Sequence, residues 1–444
     1  MKRQYITSEL IADGKLVIGD GYRAKNAELS AIGFPFVRAG NLNNGFHFEN
    51  VDCFPEENIA KVGEKISRAG DVVFTSKGTV GRFAYVDEDI PQFVYSPQLC
   101  YWRSLDWKTI YPRWLYYWIN SNEFWSQAAS VKGQTDMADY VSLTDQRRMI
   151  ISLPSIKKQI ATANILGALD DKIELNRQMN QTLEKMAQAM FKSWFVDFDP
   201  VVAKAAGKKP FDMSGEIAAL FPDKFEDSEL GLIPKGWEAA NLLDSVEIID
   251  CLHSKKPSRI AKQGYILLQL NNIRDNGMFD FSDNFFISEK DYKKWTSRIE
   301  PYQGDCVITN VGRVGAVAQI PKDVKVALGR NMTGSRCKTT FNYPSYLICY
   351  LLSDFVRGEI NRNTDYGTIL KALNVKNIGR LKIIRSPKKI TKVANDILHS
   401  YRLKMESNNK ESSIISDVRD TILPKLISGE IRIKNAEKMV SEAA

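Results

Sequence analysis

The feature that most constrains the fold is an internal duplication with a period of about 234 residues. The segment GDVVFTSKGTVGRFAYV, which begins at Gly70, aligns with GDCVITNVGRVGAVAQI, which begins at Gly304, with eight identical residues in seventeen positions. Farther along the chain, Pro154 corresponds to Pro387 at almost the same offset. A period this long is a whole domain and the helix that follows it, present twice, and is too long for one turn of a solenoid.

Each copy begins with strands and continues with helices. Residues Asp71–Val86 alternate apolar and polar positions around two glycines, and Asp305–Ile320 repeat the pattern, so both are predicted to form short strands joined by a tight turn. Residues Tyr111–Trp125 and Tyr343–Val356 are rich in Trp, Tyr and Leu and are predicted to be helices on the sheet. Each copy is therefore expected to start as a compact α+β domain.

A long helix is predicted after the first domain, because Ser155–Phe195 contains no proline and only Gly167 as an interruption. Its length is about 60 Å at 1.5 Å per residue. Residues in alternating steps of three and four predict a coiled-coil seam; they are Leu166, Leu169, Ile173, Asn176, Asn180, Leu183, Ala187, Met190 and Trp194. The asparagines in the seam are interpreted as devices that set register and partner, and a locally irregular or exposed seam is the alternative.

The second copy has a weaker seam at compatible spacing. Its members are Ile397, Tyr401, Ile415, Val418 and Ile422, with Asn408 and Asn409 near the place of Asn176. Two such helices would bury their apolar stripes most simply against each other, antiparallel. The segment 197–236 between the copies contains four prolines and is predicted to be an extended connector.

Charge and composition favour a nucleic-acid partner only modestly. The net charge is +8, but Lys and Arg number 17 against 18 acids in residues 1–152 and 22 against 15 in residues 237–385. The first ten residues do not resemble a signal peptide, and the longest apolar stretch, Tyr346–Leu352, is too short to cross a bilayer, so a cytoplasmic protein without a membrane partner is expected. Six scattered cysteines and three histidines predict neither a metal site nor disulfides.

A search for catalytic motifs finds no Walker A sequence, no H-E-x-x-H and no G-x-S-x-G. The segments Gly78–Gly81 and Gly312–Gly315 resemble the G-x-x-G loop of KH domains, but each follows a strand, so turns are favoured. A close approach to phosphate, with neighbouring cations, remains an alternative for both. The acidic pairs at 170–171 and 197–199 suggest a metal only weakly, because adjacent helical residues do not face each other.

Three further segments resemble one protein family, in the expected order. The run LPSIKKQIATANILGALDDKIELNRQMNQTLEKMAQAMFKSWFVDFDP, from Leu153, is similar to the central conserved region of type I restriction-modification specificity subunits. SELGLIPKGWEAANLLD, from Ser228, resembles the family's entry into its second recognition domain, and DVRDTILPKLISGEIRI, from Asp417, resembles its C-terminal conserved region. The resemblance extends over essentially the whole chain.

The resemblance implies two α/β target recognition domains, each followed by a long helix, with the helices packed as an antiparallel coiled coil. The implied divisions are target recognition domain 1 (1–152), central conserved helix (153–196), connector (197–236), target recognition domain 2 (237–385), C-terminal conserved helix (386–429) and tail (430–444). Each domain is expected to read half of a bipartite double-stranded DNA target, with an unspecific gap set by the helices. S-adenosylmethionine, ATP and Mg²⁺ are expected on partner modification and restriction subunits, and no cofactor or catalysis in this chain.

Candidate DNA-contacting residues are those of the types that bind phosphates and base edges, in polar or glycine-containing segments. In the first domain they are Arg38, Asn41, Asn43, Lys77, Arg82, Lys132 and Gln134; in the second they are Asn272, Arg274, Arg313, Arg330, Asn331 and Lys371. For each residue the alternative is a solvated loop position. The competing functions are a protein-interaction scaffold, which sequence-dependent DNA binding would exclude, and an enzyme with an unseen cofactor site, which S-adenosylmethionine binding would support.

Overall fold

The structure is a computed structural model that describes all residues except 1, 44, 79, 131–132, 136–137, 262–263, 368–370 and 444. The side chains of residues 78, 133–135, 138–140, 366 and 443 are also outside the description. The chain forms two compact units. Unit 1 comprises Met1–Leu175 and Glu411–Ala444, and unit 2 comprises Asn176–Lys410. Each unit therefore combines one copy of the duplicated domain with parts of both long helices.

The first copy is built on three small sheets and the strand pair β1·β12. Its strands are β1 (Arg3–Ile6), β2 (Leu16–Asp20), β3 (Phe34–Val37), β4 (Cys53–Phe54), β5 (Val72–Thr75), β6 (Lys77–Gly78), β7 (Phe83–Tyr85), β8 (Val94–Tyr95), β9 (Leu99–Ser104), β10 (Gly133–Thr135), β11 (Ala138–Tyr140) and β12 (Ile150–Leu153). Its helices are α1 (Thr7–Ala12), α2 (Pro112–Ile119), α3 (Asn122–Ser130), α4 (Leu143–Gln146) and the 40-residue α5 (Ile156–Phe195). The sheet orders are β2-β9-β5-β7, β4-β3-β8 and β10-β11-β6.

The second copy repeats this plan. The remaining helices are α6 (Asp199–Ala205), α7 (Gly215–Leu220), α8 (Leu242–Ser245), α9 (Glu289–Trp295), α10 (Pro344–Leu352), α11 (Asp354–Arg362), α12 (Val375–Arg380), α13 (Lys388–Ser428) and α14 (Ile433–Ala443). The strands are β13 (Phe225–Ser228), β14 (Gly231–Pro234), β15 (Glu238–Asn241), β16 (Val246–Asp250), β17 (Tyr265–Leu267), β18 (Phe286–Ile287), β19 (Cys306–Thr309), β20 (Val317–Gln319), β21 (Val326–Ala327), β22 (Met332–Cys337), β23 (Thr364–Tyr366), β24 (Lys371–Leu373) and β25 (Lys382–Arg385). Its sheets β16-β22-β19-β20 and β18-β17-β21 match the first copy's central and second sheets in strand order.

The central strands are covered by apolar residues on both faces, which corrects the predicted alternation of apolar and polar positions. All four residues of β5 are buried, and so are all four residues of β19. Val72 and Phe74 pack in a core with helix α2, whereas Val73 packs in a second core that includes Val37. Strands buried on both faces are continuous apolar runs, because neither side of the strand meets water.

Each of the two predicted sheet-covering helices is divided in two by a serine. Helices α2 and α3 are separated at Ser121, whose hydroxyl donates a hydrogen bond to the carbonyl oxygen of Trp118 (2.6 Å). Helices α10 and α11 are separated at Ser353, whose hydroxyl accepts a hydrogen bond from the backbone N–H of Val356. The hydroxyl of Ser353 thus satisfies a free N–H at the start of the second helix, which favours a new helix over a continuous one.

In each unit, part of α5 packs against part of α13, as the fold class predicts. In unit 1, Leu166, Leu169 and Ile173 share one core with Ile415, Val418 and Ile422. In unit 2, Met190 shares a core with Ile397 and Tyr401, and Leu183 is half-buried. The mixed fold of two repeated domains, each followed by a long helix, is therefore confirmed.

The seam asparagines of unit 2 lie together and bond between the helices. Asn180 donates to Asn409 Oδ1, and Asn408 donates to Asn180 Oδ1, both at 2.8 Å. Asn176 is buried and donates to the carbonyl oxygen of Asn408 at 3.4 Å. As α5 proceeds from Asn176 to Asn180, its partners on α13 move back from Asn408 to Met405, so the two helices pair antiparallel. Hydrogen-bonded polar partners across a seam favour one helix register over shifted registers.

The connector between the two copies is more ordered than expected. The prediction of an extended connector over 197–236 is wrong, because this segment forms α6, α7 and the hairpin β13–β14. Its Val201, Phe221 and Ile233 are buried in the core of unit 2. Pro200 lies in the first turn of α6, where the missing N–H costs nothing, so this proline starts a helix. The tail contains α14, and its Ala436 is buried in unit 1.

No helix within the described part of the chain is both long enough and apolar enough to cross a membrane.

A buried ion pair occurs at the same place in both copies. Arg103 on β9 donates to both carboxylate oxygens of Asp71 at 2.7 and 2.8 Å, and Arg336 on β22 donates to both oxygens of Asp305 at 2.9 and 2.6 Å. Burial acts to lower the pKa of Arg103, but the hydrogen bonds and charge of Asp71 outweigh it and raise the pKa. Asp71 and Asp305 are the aspartates of the Gly-Asp sequences that begin the two aligned segments. Both copies have therefore kept the arginine–aspartate ion pair.

We predict that Asp71→Ala destabilises its unit by about 3–5 kcal/mol, since it removes the buried counter-charge of Arg103 and leaves only the exposed carboxylate of Glu64, at 3.1 Å, beside the buried guanidinium group. Asp305→Ala is expected to cost less, because the side chain of Arg336 is 23% exposed and that of Arg103 only 4%. Hydrogen exchange on the full chain measures the two effects separately, at β5 and β9 against β19 and β22. Equal destabilisation by the two variants, or a larger destabilisation by Asp305→Ala, would contradict this explanation.

Candidate nucleic-acid interface

In the first copy, Ser76 connects the end of central strand β5 to two other segments. Its backbone N–H donates to the carbonyl oxygen of Gln98 (3.1 Å), and its carbonyl oxygen accepts from the N–H of Val141 (3.2 Å). Its hydroxyl accepts a hydrogen bond from the thiol of Cys100 (3.0 Å). Ser76 therefore fixes the β8–β9 loop and the end of the β10–β11 hairpin to one strand end.

In the second copy, Asn310 holds the equivalent position with the same backbone bonds. Its N–H donates to the carbonyl oxygen of Asn331 and its carbonyl oxygen accepts from the N–H of Leu373, both at 2.8 Å. Its buried side chain donates to the carbonyl oxygen of Leu373 (3.3 Å) and accepts from the hydroxyl of Thr333 (2.9 Å). We call Ser76 and Asn310 the hub residues. We call Ser96–Gln98 and Gly329–Asn331 the hub loops.

Some predicted DNA contacts lie around the hub residue of the first copy. Lys77 is exposed on β6, where it pairs with Tyr140 of β11. Gln134 is on β10 of the same sheet, but its side chain is outside the description. Lys132 lies outside the described residues.

Of the remaining predicted residues of the first domain, Arg38, Asn41 and Asn43 lie in a turn after β3, and Arg82, which precedes β7, bonds to that turn. Asn41 Oδ1 accepts from the N–H of Arg38 (2.8 Å) and so closes a 3₁₀ turn. Arg38 forms an ion pair with Asp52 at 2.8 Å, and Arg82 donates to the carbonyl oxygen of Leu42 at 3.4 Å and to that of Ala39 at 3.1 Å. Asn43 is exposed, and its carbonyl oxygen lies 2.7 Å from Nε2 of His47. Arg38, Asn41 and Arg82 thus have structural partners.

The corresponding turn of the second domain uses its predicted residues in the same way. Asn272 is buried, accepts from the N–H of Gln269 (2.8 Å) and donates to the carbonyl oxygen of Asp280 (2.8 Å). Arg313 bonds to the carbonyl oxygen of Ile273 and to Asp275. Arg313 and Arg82 are not aligned in sequence, yet each bonds to the corresponding turn of its own domain. Two different positions thus supply the same arginine clamp.

The charge of Arg274 is also matched internally. It lies 2.9 Å from the carboxylate of Asp280. Burial acts to raise the pKa of Asp280, but hydrogen bonds from Ser282 and the charge of Arg274 outweigh it and lower the pKa. The side chain of Arg274 thus has a partner that holds it against its own turn.

Three predicted residues of the second domain lie around its hub residue. Arg330 is exposed and Asn331 half-buried in the hub loop, and Lys371 is exposed on β24. Ala372, next to Lys371, forms a β-bridge with Val311, which follows the hub residue. The structure therefore brings Arg330, Asn331 and Lys371 to one end of the central sheet.

The equivalent loop of the first domain was missed by sequence reasoning. Gln98 is exposed and stands where Asn331 stands in the second copy. The offset of 233 between them is nearly that of the aligned segments, so extending the alignment past the next strand, β8, would have found it.

One group of side chains among the described residues has the types and spacing of metal ligands. Potential ligand atoms of Asp250, Cys251 and His253 lie within 4.8 Å of one another. His253 Nε2 is 2.8 Å from Asp250 Oδ2, and Arg298 Nη1 is 3.8 Å from the same oxygen. Burial raises the pKa of the Cys251 thiol, which opposes the thiolate form that binds metals. Because a guanidinium group already stands beside the carboxylate, we assign no metal here.

Comparisons with known proteins agree with this arrangement. The family model for the type I restriction modification DNA specificity domain matches residues 17–185. The HindI specificity subunit of Haemophilus influenzae is 28% identical, over 89% of this chain and 94% of that protein. The MjaIX specificity subunit of Methanocaldococcus jannaschii is 24% identical, over 85% and 82% respectively. A crystal structure of a type I restriction-modification S subunit from M. genitalium shares the fold, with a TM-score of 0.57 at 14% identity over 96% of both chains.

The domain match in the first copy, its structural repetition in the second and relatives of one kind over nearly the whole length lead to one conclusion: the chain is similar to type I restriction-modification specificity subunits along almost all of its length.

Proposed function

We propose that this chain is the DNA-reading subunit of a type I restriction-modification enzyme, and that each recognition domain reads one half of a bipartite target. The observation that carries the proposal is the similarity to a specificity subunit over 89% of the chain. A scaffold protein with a peptide-binding domain would share neither this length of similarity nor the domain match at residues 17–185.

The duplicated domain supports reading in two halves. Both copies have the same hub bonds and the same buried arginine–aspartate pair, whereas their hub loops carry different exposed side chains. A constant framework with variable exposed residues is what two readers of different sequences need. Affinity would come mainly from Lys and Arg on phosphates, and specificity from side chains on base edges.

The long helices are proposed to space the two half-sites and to help hold the partner subunits. Modification subunits would bring S-adenosylmethionine, and restriction subunits would bring ATP and Mg²⁺. The chain itself would be non-catalytic, which agrees with the missing Walker A and N-P-P-[FY] sequences.

The test is to co-express the chain with its modification subunit and to map methylated adenines in the host DNA by long-read sequencing. Methylation confined to one split motif with a fixed gap is expected. A stable, active complex that methylates no motif would overturn the proposal and favour a scaffold.

We predict that removing one heptad from each helix, residues 174–180 and 405–411, shortens the gap by about 3 base pairs, because seven residues span about 10 Å. The segments face each other in part, since Asn176 and Asn180 bond to Asn408 and Met405. Removing a whole heptad keeps the seam in phase. Both half-sites should stay the same in the methylation map; changed half-sites with an unchanged gap would refute the spacer role.

We also predict where S-adenosylmethionine binds. Isothermal titration calorimetry should show no binding to the isolated chain and saturable binding to the complex with the modification subunit. Saturable binding to the isolated chain would contradict the assignment and support an enzyme with its own cofactor site.

A further inference from the structure

We infer that the hub loops are the base-reading elements, with Gln98 reading an adenine in one half-site and Arg330 reading a guanine in the other. This inference rests on the proposed function and adds to it the residues and the bases.

The loop of the first copy is held firmly by its backbone. The N–H of Ser96 donates to the carbonyl oxygen of Val37 (3.0 Å), and the carbonyl oxygen of Gln98 accepts from the hub residue (3.1 Å). Just after the loop, Leu99 accepts from the N–H of Gly21 (3.2 Å). Bonds on both sides leave only the side chains at the tip to respond to a ligand.

The loop of the second copy is fixed in a matching way. The carbonyl oxygen of Asn331 accepts from the hub residue (2.8 Å), and Met332 accepts from the N–H of Cys251 (3.3 Å). A Cβ on Gly329 would lie 1.9 Å from the carbonyl oxygen of Leu268, so only glycine fits there. Asn331 has a φ of 66°, in the left-handed region that asparagine tolerates better than most residues.

On these rigid loops, Gln98 and Arg330 are exposed, and their side chains have no hydrogen-bond or ion-pair partner within the described part of the chain. The other predicted arginines, Arg38, Arg82, Arg274 and Arg313, all bond to neighbouring protein groups. A fixed loop with an uncommitted polar side chain is preorganised for recognition, because little conformational entropy is lost on binding.

The chemistry of the two side chains selects their bases. The amide of glutamine matches the N6 and N7 edge of adenine in the major groove, and the guanidinium group of arginine matches O6 and N7 of guanine. Each bidentate contact discriminates against the wrong base by roughly 10- to 100-fold. The first domain can therefore read sequence without a local excess of positive charge.

The test maps methylated adenines in hosts that contain the modification subunit and the wild-type chain or a variant. Gln98→Ala should make one A·T position of one half-site degenerate, and Arg330→Ala one G·C position of the other, each with a roughly 10- to 100-fold loss of preference. Gln98→Glu should move the preference toward cytosine, since a carboxylate accepts from its N4 amino group. A new base preference would show that residue 98 contacts the base, because a variant that only folds poorly would lose methylation without gaining a preference for another base.

Matched controls are Gln4→Ala on β1 and Arg380→Ala at the end of α12, both exposed positions outside the hub loops. Both should leave the motif unchanged. A wild-type split motif that survives intact in the Gln98 and Arg330 variants would overturn this inference and leave the proposed function standing. Equal loss on every sequence would also overturn it, by making the residue a phosphate contact. A wild-type chain that directs no split motif would instead refute the proposed function.

Discussion

The proposed recognition surface depends on the hydrogen bonds of one residue at the end of each central strand. Ser76 and Asn310 bind two other segments through both backbone polar groups, and Asn310 adds two side-chain bonds. These groups lie at the end of a strand that is buried on both faces, where an unmade hydrogen bond is costly. The hub loops are therefore placed by the core itself, and their exposed residues can change without moving the loop.

The two copies show which features the duplication has kept. The arginine–aspartate pair, the hub bonds and the asparagine-closed 3₁₀ turn recur with nearly the same distances. The clamp on that turn recurs only in function, since Arg82 and Arg313 come from different positions. The hub loops have diverged most in chemistry, from Gln98 to Arg330 and Asn331. The two copies therefore share their structural hydrogen bonds and ion pairs, whereas the exposed side chains of their hub loops differ.

Much of the fold could be predicted from the sequence, because the duplication and the heptad spacing reflect burial directly. The site could be predicted only in part: residue type made Arg82 and Arg313 look like DNA contacts, but tertiary contacts give each of them a structural partner. Local sequence does not reveal such long-range bonds. The folded connector was missed for a related reason, since Pro200 looks like a helix breaker until its place in the first turn of α6 is known.

The most direct test of the claim that the hub loops face DNA is hydrogen exchange on the complex with its modification subunit, with and without a duplex carrying the mapped target. The account predicts slower exchange at residues 96–98 and 329–331 when the target is bound. A duplex with both half-sites scrambled should produce a smaller effect. Protection confined to other surfaces, such as α8 and α12, with unchanged exchange in both hub loops, would contradict the account.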